Sequence, residues 1–154
     1  MATLLDTGIL LRLVDKKDAL HAPVEEAVNL LIARQEDLVI TTQNIAELWN
    51  VATRPLANNG LALLPTDVAK LYDDTIEPAC AVLVETKFLP VVLRRLLTQY
   101  NVIGKQVHDA RLVAMMLVWQ VDNLLTLNDR DFRRYEPEGI TIITPDSLSP
   151  PSPR

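Results

Sequence analysis

The sequence predicts an α/β fold in which helices cover both faces of a central, mainly parallel sheet, in three layers (α/β/α). Short apolar runs of strand length alternate along the chain with longer runs of helical periodicity, as expected for parallel strands joined by crossover helices. Hydrophobic residues make up 49% of the 154 residues, which is enough to build a sizeable core in one domain. Four of the ten prolines fall in the last ten residues, outside this alternating pattern.

The amino-terminal part of the chain begins with a predicted strand over residues 3–5 that leads directly into a helix. The apolar residues of that helix recur at helical spacing, at Ile9, Leu10, Leu13 and Val14. A second helix is predicted over residues 21–34, with Pro23 near its start. The LVIT run at residues 38–41 has the length and residue types of a second strand.

The central part of the chain is predicted to be helical. Thr41 or Thr42 can cap a helix that runs to about Thr53 and is stopped by Pro55. Ile45, Leu48, Trp49 and Ala52 form its predicted apolar stripe. Two further amphipathic helices, over residues 66–80 and 90–100, carry no obvious chemistry.

After Gly104 the pattern returns to helix and strand. A helix over residues 105–120 becomes apolar on every side after Arg111, so it must be covered on all faces. Strands are predicted over residues 123–127 and 139–144. A domain over residues 1–145 and a disordered Pro/Ser-rich tail over residues 146–154 complete the predicted organisation.

Composition restricts the class of protein. The net charge of −5 argues against nonspecific attraction to phosphate polymers. The single cysteine, Cys80, cannot form an internal disulfide and is predicted to be a small buried hydrophobe. Neither a signal peptide nor an apolar run of membrane-spanning length is evident, so a cytoplasmic location without a membrane is expected.

The stretch LLDTG at residues 4–8 resembles an aspartic protease motif, but its surroundings argue against that function. Such a protease shares one proton between two carboxylates on a mostly β scaffold. No second Asp-Thr-Gly occurs, and a helical pattern follows Gly8. Asp6 is therefore interpreted as the residue that ends a short strand and precedes a helix.

Acidic residues fall where predicted strands end and helices begin. Asp6 follows the first strand, and Asn128, Asp129 and Asp131 follow the strand NLLTL. In an open parallel sheet, ligands bind beyond the carboxyl ends of the strands, so we expect these side chains to share one edge.

Two further acids lie on helices that could reach the same edge. Glu47 lies opposite the apolar stripe of its helix, on a face with Gln43, Asn50 and Arg54 that an ordinary solvated surface explains equally well. Asp109 occupies the first turn of the apolar helix, where the helix dipole is itself a sufficient reason for a carboxylate.

Such a cluster of carboxylates favours a hard divalent cation. Neighbouring carboxylates repel one another and raise each other's pKa values unless a cation neutralises them. Mg²⁺ or Mn²⁺ suits an all-oxygen site. Zinc is not indicated, because His21 and His108 lack companion ligands at the usual spacing.

The order of motifs resembles that of the PIN domain, and within it the VapC-like toxins of bacterial toxin–antitoxin pairs. The motifs are LLDTG, NIAELWNV, HDARLVA, LLTLNDRDF and GITIITP, and the resemblance extends from Thr3 to about Pro145. It implies a three-layer PIN-like fold and a Mg²⁺- or Mn²⁺-dependent endoribonuclease that leaves 5′-phosphate and 3′-hydroxyl ends. It also implies an antitoxin partner and a homodimer, for which the helices between Thr66 and Tyr100 are a candidate contact.

The resemblance assigns the metal to Asp6, Asp109 and Glu47. The fourth acidic position of many relatives is Asn128 here, two residues after Thr126, and it brings no charge. Asp129 or Asp131 is a candidate to supply the missing negative charge. Because Asn128 is neutral, the affinity for a second metal is left open. The catalytic set implied by the resemblance is Asp6, Glu47, Asp109, Asn128 and Asp131.

Residues near the motifs are assigned supporting roles. Thr7, Thr126 and Asp129 are supporting residues, and Gly8 stands where relatives often have Asn or Ser. Basic side chains close to the motifs are candidates for RNA contact, although each is also explained as a solvated surface charge. These candidates are Arg12, Arg54, Lys105, Arg130, Arg133 and Arg134.

Two other functions compete with the nuclease. The neutral Asn128 is compatible with a catalytically silent PIN-like module that pairs with an antitoxin or with itself. A phosphotransfer domain also uses acids at strand ends, but the paired acids after the first strand and the late lysine expected there are missing.

Overall fold

The computed structural model describes residues 1–149 and confirms the predicted fold class. Its strands are β1 (Ala2–Leu5), β2 (Asp37–Thr41), β3 (Ala81–Leu83), β4 (Asn123–Leu125) and β5 (Thr141–Ile143). They form one sheet in the order β3-β2-β1-β4-β5, and all four pairings are parallel. The helices are α1 (Thr7–Val14), α2 (His21–Ala33), α3 (Thr42–Thr53), α4 (Pro65–Leu71), α5 (Leu89–Gln99), α6 (Val107–Trp119), α7 (Asp129–Phe132) and α8 (Pro145–Leu148).

The central strand, β1, places the chain segments that follow three strands side by side. In its register with β2 and β4, Leu4 lies opposite Val39 and Leu124. Because the strands are parallel, the residues just beyond β1, β2 and β4 meet at the same edge of the sheet. This edge, called the carboxyl edge below, carries Asp6 and Thr126.

Two hydrophobic cores lie on opposite faces of the sheet. Leu4 of β1 joins a core with α5 and α6, which contribute Leu96 and Met116 among others. The next residue, Leu5, joins a second core with α1, α2 and α3. Since successive side chains of a strand point to opposite faces, this alternation produces the three layers.

Two tryptophans are more exposed than the sequence predicts. Residues 112–116 of α6 are buried as expected, but Trp119 at its end is 41% exposed and its Nε1 donates a hydrogen bond to the carbonyl oxygen of Val84. Trp49, predicted in the apolar stripe of α3, is 37% exposed. Both indoles are partly apolar and partly polar, so a half-exposed position is compatible with their chemistry.

Several element boundaries also differ from the prediction. The sequence did not predict β3, which has only three residues and lies at the edge of the sheet with two of them exposed. The helix predicted over residues 66–80 is α4 followed by a π-helical turn, Tyr72–Ile76. The strand predicted to reach Leu127 ends at Leu125, and α7 and a 3₁₀ helix, Arg133–Glu138, lie between it and β5.

The beginning of the predicted tail is helical. Pro145–Leu148 forms α8, in which the Thr144 hydroxyl accepts a hydrogen bond from the backbone N–H of Ser147, and Leu148 packs against the second core. The capping bonds and this apolar contact explain why the prediction of disorder from residue 146 does not hold there. The rest of the predicted tail, residues 150–154, lies outside the described residues.

Two sequence expectations concern chemistry away from the carboxyl edge. Cys80 is half-buried against the second core, and burial raises the pKa of its thiol to about 11, as expected for a structural cysteine rather than a reactive thiolate.

Over residues 1–149, no helix combines the length and the apolar character that crossing a bilayer requires.

Candidate active site

Asp6 lies at the junction between β1 and α1, at the carboxyl edge of the sheet. It is the N-cap of α1, and its Oδ1 accepts a hydrogen bond from the backbone N–H of Thr7 at 2.8 Å. The buried hydroxyl of Thr126, just after β4, donates to Oδ2 at 2.7 Å. Burial raises the pKa of Asp6, these two hydrogen bonds lower it, and the charges of Glu47 and Asp131 raise it further.

Glu47 of α3 is held by one donor on each carboxylate oxygen. The hydroxyl of Thr7 donates to Oε2 at 2.6 Å, and Nε2 of Gln43 donates to Oε1 at 2.9 Å. The same Nε2 donates to the backbone carbonyl oxygen of His108, at the start of α6, at 2.8 Å. Gln43 therefore connects the Glu47 carboxylate to the helix that carries Asp109.

A hydrogen-bond chain fixes the orientation of the Thr7 hydroxyl. Nδ2 of the fully buried Asn44 donates to Thr7 Oγ1 at 3.1 Å, so the Thr7 hydrogen is directed to Glu47. Oδ1 of Asn44 accepts from the backbone N–H and the hydroxyl of Thr41. These contacts also form the capping box at the start of α3. The residues that cap the helix therefore also help to position the Glu47 carboxylate.

Asp109, in the first turn of α6, faces the other carboxylates. Its pKa is raised to about 6, first by burial and then by the charges of Asp6, Asp131 and Glu47. Because the charges of Asp6, Glu47 and Asp131 all act on the Asp109 carboxyl, these four side chains belong to one electrostatic group. We call Asp6, Glu47, Asp109 and Asp131 the acid cluster.

Part of the acid cluster borders a cleft of about 510 Å³. Asp109 and Asp131 line it together with basic and aromatic side chains from the segments before α6 and after β4. These additional lining residues are Lys105, His108, Arg130, Arg134 and Tyr135. Burial raises the pKa of the Tyr135 phenol, the charge of Arg134 lowers it, and that of Asp109 raises it.

The structure distinguishes the three residues predicted to act at the fourth acidic position. The backbone N–H of Asn128 donates to the Thr126 hydroxyl at 3.0 Å and so supports the residue that binds Asp6. Asp131 is one of the charges acting on Asp6 and Asp109. Asp129 instead accepts from Arg133 at 2.7 Å, which lowers the pKa of its exposed carboxyl.

The basic residues predicted near the motifs fall into separate groups. Lys105, Arg130 and Arg134 line the cleft of the acid cluster. Arg12 and Arg54 line a second cleft, where Arg12 Nε lies 3.5 Å from Asp18. Their guanidinium groups also donate to backbone carbonyl oxygens of Gly8 and Asn59, respectively. Arg133 is bound to Asp129 and Glu136.

The acid cluster provides the type of ligands that Mg²⁺ or Mn²⁺ prefers, which are carboxylate oxygens. Burial, and then the charges of neighbouring acids, raise the pKa values of Asp6 and Asp109. Within residues 1–149, however, no three His, Cys, Asp or Glu side chains stand close enough to form a ready-made metal cage. The donor atoms of the cluster therefore suit a divalent cation. The side chains would have to move closer to one another to coordinate it.

Sequence reasoning missed three buried polar residues of this site. Gln43 is only 7% exposed, although the stripe with Glu47 suggested a solvated face, and Asn44 is fully buried. The available signal was the spacing of four residues between Gln43 and Glu47, which places them on the same side of a helix. Tyr135 is 1% exposed and its place in the cleft depends on the unpredicted 3₁₀ helix.

Comparison with known proteins agrees with the motifs and the geometry. The PIN domain family model matches residues 3–137, and the chain belongs to this family. No protein of established annotation matches the sequence significantly. Solved structures extend the likeness to VapC-like proteins at the level of the fold.

Three such structures cover nearly the whole chain. VapBC2 from Rickettsia felis, bound to a DNA fragment from its promoter, has a TM-score of 0.69 at 16% identity, covering 94% of this chain and 98% of that one. VapC20 from Mycobacterium tuberculosis, a sarcin-ricin loop cleaving toxin, has a TM-score of 0.62 at 15% identity, with 90% and 96% coverage. DNA-bound VapBC from Salmonella typhimurium has a TM-score of 0.64 at 19% identity, with 94% and 98% coverage.

Proposed function

We propose that the chain is a metal-dependent endoribonuclease that hydrolyses phosphodiester bonds of RNA, and that it is the toxin of a toxin–antitoxin pair. The acid cluster carries this proposal, because Asp6, Glu47 and Asp131 all act on the carboxyl group of Asp109 at one edge of the sheet. Membership of the PIN domain family and a fold like that of a sarcin-ricin loop cleaving toxin support the same activity.

The proposed cofactor is Mg²⁺ or Mn²⁺, with Asp6, Asp109 and Glu47 as ligands. When bound, such an ion polarises the phosphate and lowers the pKa of a bound water for in-line attack. The protein contributes the orientation of the ligands: Thr126 and Thr7 hold Asp6, while Thr7 and Gln43 hold Glu47. Each of these donors leaves lone pairs of the carboxylate free, because an ionised carboxylate accepts about four hydrogen bonds.

The remaining predicted residues have narrower proposed roles. Asp131 supplies the fourth negative charge that Asn128 lacks, since its charge acts on both Asp6 and Asp109. Asn128 supports the site through its backbone contact with Thr126. Asp129 is proposed to support the site indirectly, by binding Arg133 beside the cleft.

The proposed partners follow from the family and from the neighbouring folds. Two of the similar structures are VapBC assemblies, which supports a cognate antitoxin as partner of this chain. We also propose a homodimer and a cytoplasmic location. A small gene for a DNA-binding antitoxin next to the gene for this chain would support the toxin role.

A second candidate function is a catalytically silent PIN-like module that binds an antitoxin or itself. The neutral Asn128 and the lack of a ready-made metal cage within the described residues favour it. The two functions make opposite predictions for the purified, antitoxin-free protein.

RNA cleavage by that protein separates them. Structured RNA is incubated with Mn²⁺ or Mg²⁺ and with either the wild-type protein or its Asp6→Asn variant. The nuclease predicts cleavage that depends on the added metal and is abolished by the substitution. Intact RNA at saturating metal, or equal cleavage by both proteins, contradicts it.

A further inference from the structure

The cleft of the acid cluster has a second, basic end. Lys105, Arg130 and Arg134 line it beside Asp109 and Asp131. Among the residues that the structure describes, none of these three cations makes an ion pair, whereas Arg133 in the same segment binds Asp129 and Glu136. Their positive charge is therefore available to a ligand in the cleft.

The tyrosine at this end has an unused hydroxyl. Tyr135 is 1% exposed, it lines the cleft, and its buried hydroxyl has no hydrogen-bond partner within residues 1–149. Leaving a buried hydroxyl unpaired costs about 1–3 kcal/mol, and such groups are rare in native structures unless something else satisfies them. A ligand in the cleft can provide the missing acceptor.

The guanidinium of Arg134 is held against the rings of Tyr135 and Tyr100. It lies 5.5 Å from the ring centroid of Tyr135 and 6.0 Å from that of Tyr100, and the two rings pack 4.8 Å apart. Nη1 of Arg134 also donates to Gln106 at 3.3 Å. These contacts restrict the guanidinium without neutralising it, which lowers the entropic cost of binding an anion.

We propose that Lys105, Arg130, Arg134 and Tyr135, the basic end of the cleft, bind a phosphodiester of the RNA strand next to the one cut at the acid cluster. All four side chains are hydrogen-bond donors, and phosphate oxygens are acceptors that pair well with guanidinium and ammonium groups. The Tyr135 hydroxyl donates to one of these oxygens. This inference rests on the proposed ribonuclease function.

The arrangement explains how an acidic protein can take up RNA. With a net charge of −5, the whole molecule does not attract a polyanion. The group of cations beside the acid cluster, which have no ion pair within the described residues, provides local attraction and orients the strand along the cleft. Arg12 and Arg54 line a separate cleft, and Arg133 is paired with Asp129 and Glu136, so these three residues are not part of this subsite.

Binding of uncleaved RNA tests the subsite separately from catalysis. A fluorescently labelled single-stranded RNA is titrated with Asp6→Asn protein in EDTA, and anisotropy is measured at several salt concentrations. Further variants in that background are Lys105→Gln, Arg130→Gln and Tyr135→Phe. Matched controls are Arg94→Gln, on an exposed position of α5, and Tyr72→Phe.

We expect each of the three variants to weaken RNA binding about tenfold, and each lost cation to reduce the salt slope by about 0.7. The controls should bind like the parent. Tyr135→Phe removes an unpaired hydroxyl, so the melting temperature should be unchanged or higher, which separates weaker binding from misfolding. Parental affinity in Arg130→Gln and Tyr135→Phe overturns the inference.

Competition by inorganic phosphate distinguishes the source of the phosphate group. We expect millimolar phosphate to compete only weakly, because the strand makes several contacts at once. The inference is overturned if phosphate binding depends on Tyr135 while RNA binding does not, or if an acidic peptide rather than RNA requires these residues. Cleavage by Asp6→Asn protein would instead contradict the proposed function, so the two failures are distinguishable.

Discussion

Single residues at the carboxyl edge determine how Glu47 is presented. Both donors of Gln43 Nε2 face acceptors, a carboxylate and a backbone carbonyl, which fixes the orientation of its amide. The remaining oxygen of Gln43 is buried without a partner among the described residues. Gln43 is therefore a positioning residue and not an ordinary part of a solvated helix face.

Substitution of Gln43 by Met tests this role. Met keeps a similar length but has no donor, so Glu47 loses one of its two orienting bonds and the His108 carbonyl loses a partner. Loss of such a supporting contact typically costs 10–100-fold in metal affinity or activity, and we expect RNA cleavage to fall within about this range. The rate is measured well below the melting temperature.

The control for this substitution lies on the same helix. Asn50 is exposed and belongs to the same polar stripe, so Asn50→Ala should leave cleavage unchanged. Equal cleavage rates for Gln43→Met and the wild type would show that Gln43 does not position Glu47.

The raised pKa of Asp109 predicts a cost to stability. Without metal, the folded state holds the proton of Asp109 up to about pH 6, whereas the ordinary value is 3.8. Between these values the folded protein binds more protons than the unfolded chain, so its stability falls as pH rises. At pH 7 we expect Asp109→Asn to be more stable than the wild type by about 1–2 kcal/mol. This value is smaller than the full pKa shift implies, because solvent screens the charge of a partly exposed carboxylate.

Chemical denaturation in EDTA at two pH values measures this effect. The stability gain of Asp109→Asn should be present at pH 7 and nearly absent at about pH 3, where the wild-type carboxyl is protonated in the folded protein and largely protonated in the unfolded chain as well. A gain of the same size at both pH values would attribute the effect to packing instead of charge.

At the scale of elements, the end of α3 is held by the loop that follows it. The backbone N–H groups of Leu61, Ala62 and Leu63 donate to carbonyl oxygens in the last turns of α3 and its C-cap. Gly60 packs so closely that an added Cβ would lie 2.0 Å from the carbonyl oxygen of Arg54. This loop therefore anchors the helix that carries Glu47.

Two glycine substitutions should have opposite effects on stability. Gly60→Ala forces backbone atoms apart and should destabilise the protein by about 1–3 kcal/mol. Gly8 lies within α1, and a Cβ added there would meet only ordinary contacts, at 3.6 Å and 4.0 Å. Gly8→Ala should therefore stabilise the protein by about 0.5–1 kcal/mol. Urea unfolding measures both, and a neutral Gly60→Ala would contradict the proposed anchoring.

The elements that the sequence predicts well are those with strong periodicity. The runs that form β1, β2 and α6 combine sufficient length with continuous apolar character, and their order predicts the parallel sheet. The short strand β3 lacks this signal because its stability comes from pairing with β2. The 3₁₀ helix that places Tyr135 lies in a polar segment, so neither its conformation nor the buried tyrosine was predictable.

The same limit applies to the site. Asp6 and Asp131 follow predicted strands, so the rule for parallel sheets is sufficient to predict that they share one edge. Gln43 and Asn44 connect residues more than 30 positions apart, and such contacts leave no periodic pattern in the sequence. Motif order suggested the acids, whereas tertiary packing determined which polar residues hold them.

At the scale of the whole molecule, the fold concentrates charge in one cleft. The sheet separates two hydrophobic cores, and the polar groups that neither core accommodates collect at the carboxyl edge. The cleft there, of about 510 Å³, brings Asp109 and Asp131 of the acid cluster together with a basic end. This juxtaposition of metal-type ligands and phosphate-type donors is the physical basis of the proposed RNA hydrolysis.

The central claim is that Asp6, Glu47 and Asp109 share one divalent cation. Anomalous diffraction from crystals soaked in Mn²⁺ tests it most directly, with Asp6→Asn crystals as the control. We predict a manganese peak bounded by these three carboxylates in the wild type and a lost or much weaker peak in the variant. A wild-type map without manganese between them at saturating Mn²⁺ would contradict this claim.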